Sequence, residues 1–304
     1  MRQRVTVLEV SPRDGLQNEQ VVLPTEAKLE LIADAVAAGF RRIEVCSFVH
    51  PRRVPQMADA EAVCAGLPEA AGVRYTGLVL NRKGLERAVG TGRIHEVGMV
   101  VPATDTFGER NQGMTVERAL AAAEDVIAAA RSAKLGVQVT IAVAFGCPFE
   151  GEVPPERVID MARRLAEVAP DEICLADTVG VGVPSQVLQL FPAIRTALPR
   201  PLPLRAHFHN TRNTGLANAL AALQSDVDVL DASIGGVGGC PFAPQATGNI
   251  PSEDLLYMLE RMGIASGVDL AATVVAAERL GRRLGRQVPG LLSRAGGFPQ
   301  PEAA

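Results

Sequence analysis

Short apolar runs rich in β-branched residues alternate along the chain with longer segments in which apolar positions recur every three or four residues. Val5-Thr-Val-Leu-Glu-Val reads as a strand that ends in Ser11-Pro12-Arg13-Asp14-Gly15, and a helical pattern follows from Pro24 to Ala38, stopped by Gly39. The same strand, loop and helix recur. Arg42-Ile-Glu-Val-Cys-Ser precedes a helix near residues 54 to 67, and Val73 to Leu80 precedes one beginning at Asn81. Ile94 to Val101 leads through a glycine-containing loop to an alanine-rich helix from about Thr115 to Lys134. Val137 to Ala144, Asp171 to Asp177, Pro201 to Phe208 and Val227 to Ile234 are the remaining strands, followed by helices at Pro154 to Val168, from Pro184, from Thr214 and at Ser252 to Met262.

Alternating strands and helices imply a parallel sheet, and eight units within about 260 residues match the size of a closed barrel. The expected fold is therefore α/β, a (β/α)8 TIM barrel over residues 1–265. Residues 266–304 are expected to form a C-terminal helical extension packed on it, with a helix from Leu270 to Leu284 and a tail from Pro289 that is loose or contacts a partner. An open, doubly wound sheet is the alternative. It lacks support, because Arg13-Asp14-Gly15 stands where a dinucleotide-binding sheet carries its glycine fingerprint.

Composition narrows the function more than the fold. Hydrophobic residues make up 47% of 304 residues, charged ones 21%, and the net charge is −4. That balance, without a polybasic tract, gives no reason to expect nucleic acid. No apolar run approaches membrane-spanning length and no leader pattern opens the chain, so the expectation is a cytoplasmic protein with no membrane partner. The five cysteines, Cys46, Cys64, Cys147, Cys174 and Cys240, show no zinc-type spacing and suit reduced thiols.

Barrel enzymes place their chemistry at the C-terminal ends of the strands. There the chain carries Arg13 and Asp14 after strand one, Glu44 in strand two, Asp177 after strand six, His207 and His209 on strand seven, and Cys240 and Asn249 after strand eight. Alternate strand residues face one side, so the two imidazoles share one space. A lone histidine is more often a hydrogen-bonded core residue, but a same-face pair favours a metal. Asp14 adds a carboxylate, and mixed nitrogen and oxygen donors suit Mg²⁺ or Mn²⁺, with Zn²⁺ or Fe²⁺ as alternatives. Four glycines in Gly235-Gly-Val-Gly-Gly-Cys-Pro-Phe-Ala would let that loop move, which sets Cys240 apart from the strand cysteines Cys46 and Cys174. Cys147 has a loop position and no obvious partner.

Three stretches resemble the hydroxymethylglutaryl-CoA lyase family: Val10-Ser-Pro-Arg-Asp-Gly-Leu-Gln-Asn-Glu, the strand-seven His-Phe-His, and the cysteine-bearing glycine loop with Thr247-Gly-Asn. Ala176-Asp-Thr-Val-Gly-Val-Gly supports them. The resemblance implies cleavage of a 3-hydroxy-3-methylacyl-CoA such as hydroxymethylglutaryl-CoA, with a related 3-hydroxyacyl-CoA such as citramalyl-CoA, or a Claisen-type synthase, as the alternative. It further implies Asp14, His207, His209 and Asn249 as ligands of Mg²⁺ or Mn²⁺, Arg13 as a substrate contact, Cys240 as the catalytic thiol, and Glu44 and Asp177 as supporting acid and base groups. The expected partners are an acyl-CoA substrate and a second copy of the chain in a homodimer. Familiar members carry an aspartate and a tyrosine where this chain has Asn210 and Arg212. Arg212 becomes a candidate reader of a substrate carboxylate, because its planar fork makes a two-pronged contact that tyrosine cannot.

Overall fold

A computed structural model describes residues 2–239 and 248–298. Eight parallel strands close into a barrel in sequence order: β1 (Thr6–Glu9), β2 (Arg42–Ser47), β3 (Arg74–Leu78), β4 (Glu96–Pro102), β5 (Gly136–Ala142), β6 (Glu172–Asp177), β7 (Leu204–Phe208) and β8 (Val229–Ala232). Closure is made by β1 against β8, with Leu8 opposite Asp231 and Glu9 opposite Ala232. The expected (β/α)8 barrel is the observed fold.

Helices α1 (Thr25–Ala37), α2 (Ala60–Ala65), α3 (Arg82–Thr91), α4 (Asp105–Gln112), α5 (Val116–Ser132), α6 (Pro155–Glu167), α7 (Pro184–Ala197), α8 (Gly215–Gln224) and α9 (Ser252–Arg261) surround the strands. Their starts follow local chemistry. Asn81 and Thr115 accept the Gly84 and Arg118 backbone N–H groups as N-caps, while Pro155 and Pro184 open α6 and α7, where a missing N–H costs nothing. The layer between strands and helices is a continuous core that includes Phe40, Ile43, Met99, Phe107, Ile141, Phe191 and Phe208.

Two expectations need correction. The loop after β4 is not a plain connection but contains α4, stopped by Gly113 in the left-handed region. The segment from Pro289 is not wholly loose: α11 (Leu292–Ala295) forms there, and the backbone N–H groups of Leu291 and Leu292 donate to Asp254. Helix α10 (Leu270–Leu284) lies along α1, with Arg279 paired to Asp34 at 2.7 Å and Arg283 to Glu30. None of the described helices is long and apolar enough to cross a membrane.

Candidate active site

The chain leaves β1 through one wide π-turn, Ser11–Gly15, which carries Arg13 and Asp14. Its base is fixed by Glu9. That fully buried carboxylate accepts the Ser11 N–H at 2.8 Å, the Ile234 N–H at 2.9 Å and the Ser252 hydroxyl at 2.5 Å. It thereby ties the end of β1 to the segment after β8. Burial pushes the Glu9 carboxyl up to about 7 despite the three donors.

Across the barrel mouth, β7 delivers His207, and His209 follows one residue past its end, bridged to Asn249. The two rings lie 5.1 Å apart. One ligand atom each from Asp14, His207 and His209 falls within 4.8 Å of the others, and Asn249 joins them by donating its side-chain nitrogen to Asp14 Oδ2 at 2.8 Å and to the Val237 carbonyl at 3.1 Å. The expected four ligands therefore meet in one place.

Their electrostatics suit a cation. Burial would raise Asp14, but Arg13 and the two histidines outweigh it and hold the carboxyl down at about 2. Burial beside His207 lowers His209 to about 3, so its imidazole is neutral at physiological pH, and its Nδ1 is buried without a partner. For His207, burial acts downward, but the Asp231 and Asp14 carboxylates prevail and raise it. A carboxylate, a neutral imidazole whose Nδ1 is buried without a partner, and an amide side chain that also offers an oxygen form a donor set that fits a divalent ion.

Arg13 spans the second half of the site. Its Nη1 donates to Asp14 Oδ1 at 2.8 Å, and its Nη2 lies 2.6 Å from Glu44 Oε2. Two carboxylates hold the guanidinium, while its buried Nε has no partner. Burial raises Glu44 against the pull of Arg13. Asp177, the last residue of β6, stands in register with Phe208, between the two histidines. It accepts the Val181 and Gly182 N–H groups, both at 2.9 Å, and burial outweighs them to raise its carboxyl.

The departures after β7 have distinct local contacts. Asn210 Oδ1 accepts the Gly215 N–H at 3.1 Å at the start of α8, a contact that an aspartate oxygen makes equally well. Arg212 is exposed and donates one nitrogen, Nη1, to the carbonyls of Val179 and Gly180 at 3.0 and 2.9 Å. Cys240 lies outside the described residues. On either side of the undescribed segment, Asn18 donates to the Gly239 carbonyl at 2.9 Å, and the Asn210 N–H donates to the Gly248 carbonyl at 2.7 Å. Gly238, at φ 114°, packs so closely that a Cβ there would sit 2.5 Å from Asn249 Nδ2. Cys46 and Cys174 are buried core thiols, as expected, and Cys147 is buried with the Thr104 hydroxyl donating to its sulfur at 3.1 Å.

Three participants escaped the sequence reading. Glu9 is one. Asp231 is another, placed 3.0 Å from His207 Nδ1, and Arg205 is the third, placed 2.5 Å from Asp231. The available signal was an acid or base inside an otherwise apolar strand, as in Val227-Asp-Val-Leu-Asp-Ala.

Several known proteins are similar to this chain over nearly its whole length. The chain is 43% identical to the (R)-citramalyl-CoA lyase of Chloroflexus aurantiacus, covering 97% of this chain and 96% of that one. It is 42% identical to the hydroxymethylglutaryl-CoA lyase of Pseudomonas mevalonii, covering 93% of each. A solved HMG-CoA lyase from Acinetobacter baumannii, in complex with coenzyme A and 3-methylmalate, superposes with a TM-score of 0.92 at 38% identity over 98% of both chains. The model of the HMGL-like family matches residues 4–280, and the chain belongs to that family.

Proposed function

We propose that the protein is a divalent-metal-dependent carbon–carbon lyase that cleaves hydroxymethylglutaryl-CoA between C2 and C3 into acetyl-CoA and acetoacetate. The observation that carries this reading is the convergence of Asp14, His207, His209 and Asn249 beside a guanidinium whose Nε is unpartnered. Those four would hold a divalent cation, Mg²⁺ or Mn²⁺, which would supply Lewis acidity toward the substrate hydroxyl. Asp177 takes the hydroxyl proton, a task its raised carboxyl suits. Glu44 is committed to Arg13 at 2.6 Å and acts chiefly by orienting it. As the C2–C3 bond breaks, its electron pair passes into the thioester as an enolate while C3 becomes a ketone. Arg13 stabilises the enolate oxygen, a contribution of about 3 to 4 kcal/mol for a preorganised donor, and Cys240 returns a proton to the enolate carbon. The four described cysteines are free thiols, which suits a cytoplasmic setting.

Citramalyl-CoA is the second reading, favoured by the Chloroflexus relative and by Arg212. With one nitrogen spent on Val179 and Gly180, the rest of that guanidinium is available to a substrate carboxylate. Product analysis separates the readings. Acetoacetate from hydroxymethylglutaryl-CoA supports the first, pyruvate from citramalyl-CoA at a much higher kcat/KM supports the second, and acetyl-CoA from neither removes both.

A further inference from the structure

The interior of such a barrel is ordinarily filled by branched aliphatic side chains, but here a line of alternating charges runs through it. Arg42 on β2 reaches Glu172 on β6, strands that are not neighbours in the sheet, with Nη1 2.7 Å from Oε2. Glu172 Oε1 lies 2.8 Å from Arg205 Nε, as an ion pair rather than an aligned hydrogen bond. Arg205 Nη1 donates to Asp231 Oδ2 at 2.5 Å, and Nη2 reaches Thr140 at 3.2 Å. The same Asp231 oxygen stands 3.0 Å from His207 Nδ1, whose ring turns Nε2 toward Asp14 at 3.9 Å. Arg205 and Asp231 are both buried.

We propose that Asp231 and Arg205 are positioning residues for the metal site: the Asp231 carboxylate keeps His207 with Nδ1 protonated and Nε2 directed at the cation, and Arg205 fixes that carboxylate in place. The inference rests on the metal reading of the site. A ligating imidazole needs its second nitrogen held, because the partner there selects the tautomer and the ring orientation, and losing such a partner costs 10–100-fold in metal affinity (roughly). Asp231 supplies that partner with one oxygen. Its other oxygen, Oδ1, has none, so the Arg205 contact on the shared oxygen is what fixes the carboxylate. A buried ion pair adds little net stability compared with apolar residues of similar volume. Its position against a ligand accounts for it better than stability does.

Mn²⁺ titration followed by EPR of the free ion, together with the Tm of the metal-free protein, tests this. Asp231→Asn should weaken Mn²⁺ binding by about 10- to 100-fold, and both Asp231→Asn and Arg205→Gln should lower the Tm by unbalancing a buried charge. The double variant, Asp231→Asn with Arg205→Gln, removes both charges and should recover much of the Tm while Mn²⁺ affinity stays low. In the Mg²⁺-loaded wild type, ¹⁵N NMR of labelled histidine should find the His207 proton on Nδ1. Wild-type Mn²⁺ affinity in a double variant with recovered Tm, or the His207 proton on Nε2, would overturn the assignment. A wild type that binds no Mn²⁺ would instead overturn the metal reading on which it depends.

Discussion

Replacing Glu9 by glutamine should change the pH dependence of stability more than it changes activity. The carboxyl moves from an ordinary 4.5 to about 7 on folding because it is buried. Below pH 4.5 it is protonated in both folded and unfolded chains. Between pH 4.5 and about 7 the unfolded chain ionises while the folded one keeps its proton, so stability present at the acid end is lost as pH rises through that window. At about 1.36 kcal/mol per pH unit, the loss amounts to about 3 kcal/mol, and above the window it stays constant. Glu9→Gln removes this dependence. Its oxygen can still accept the Ser11 and Ile234 N–H groups, and its amide can donate to the Ser252 hydroxyl, which now acts as acceptor. Glu253, raised to about 8 by burial, is present in both proteins and cancels to first order. Urea unfolding at intervals from pH 4.5 to 8 should therefore show the variant gaining about 3 kcal/mol on the wild type, with the gain complete near pH 7.5. Parallel curves across that range would refute the reasoning.

Other expectations follow from individual contacts. Cys240→Ser should lose most turnover with little change in Tm, and persistence of full turnover after stoichiometric alkylation of Cys240 would exclude a catalytic thiol. Arg212→Met should leave Mn²⁺ affinity unchanged while lowering kcat/KM for the true substrate more than for an analogue lacking the carboxylate; steady-state kinetics on both would check it. Gly238→Ala should push Asn249 from Asp14, because the new Cβ falls 2.5 Å from its amide nitrogen at a strained φ of 114°. A stability loss of about 1 to 3 kcal/mol and weaker Mn²⁺ binding are expected, measurable by denaturation and EPR.

The sequence was most informative where local chemistry decides the structure. The bounds Arg42–Ser47 and Leu270–Leu284 coincide with β2 and α10, because β-branched density and helical periodicity are clear there. Helix α4 was missed because Asp105-Thr-Phe-Gly-Glu-Arg-Asn-Gln is short and has few apolar positions. The residues of the candidate metal site were legible as polar groups at strand ends, but their separate contacts were not. Glu44 and Asp177 look alike in sequence; a bound arginine occupies one, and two backbone donors hold the other. Asn210 read as an acid replaced by an amide, and its side chain accepts the first backbone N–H of α8, a contact that sequence alone does not reveal. Arg205 and Asp231 showed only as charges inside apolar strands; their roles come from contacts between the neighbouring strands β7 and β8, which that local pattern does not specify.

The central claim is a metal-dependent lyase, and one measurement tests it most directly: acetyl-CoA release from hydroxymethylglutaryl-CoA and citramalyl-CoA by protein stripped of metal, before and after Mg²⁺ or Mn²⁺ is restored. The account predicts negligible release from the stripped protein, recovery with either ion, and no recovery in His207→Ala. Equal release with and without the metal, or full activity in His207→Ala, would contradict it.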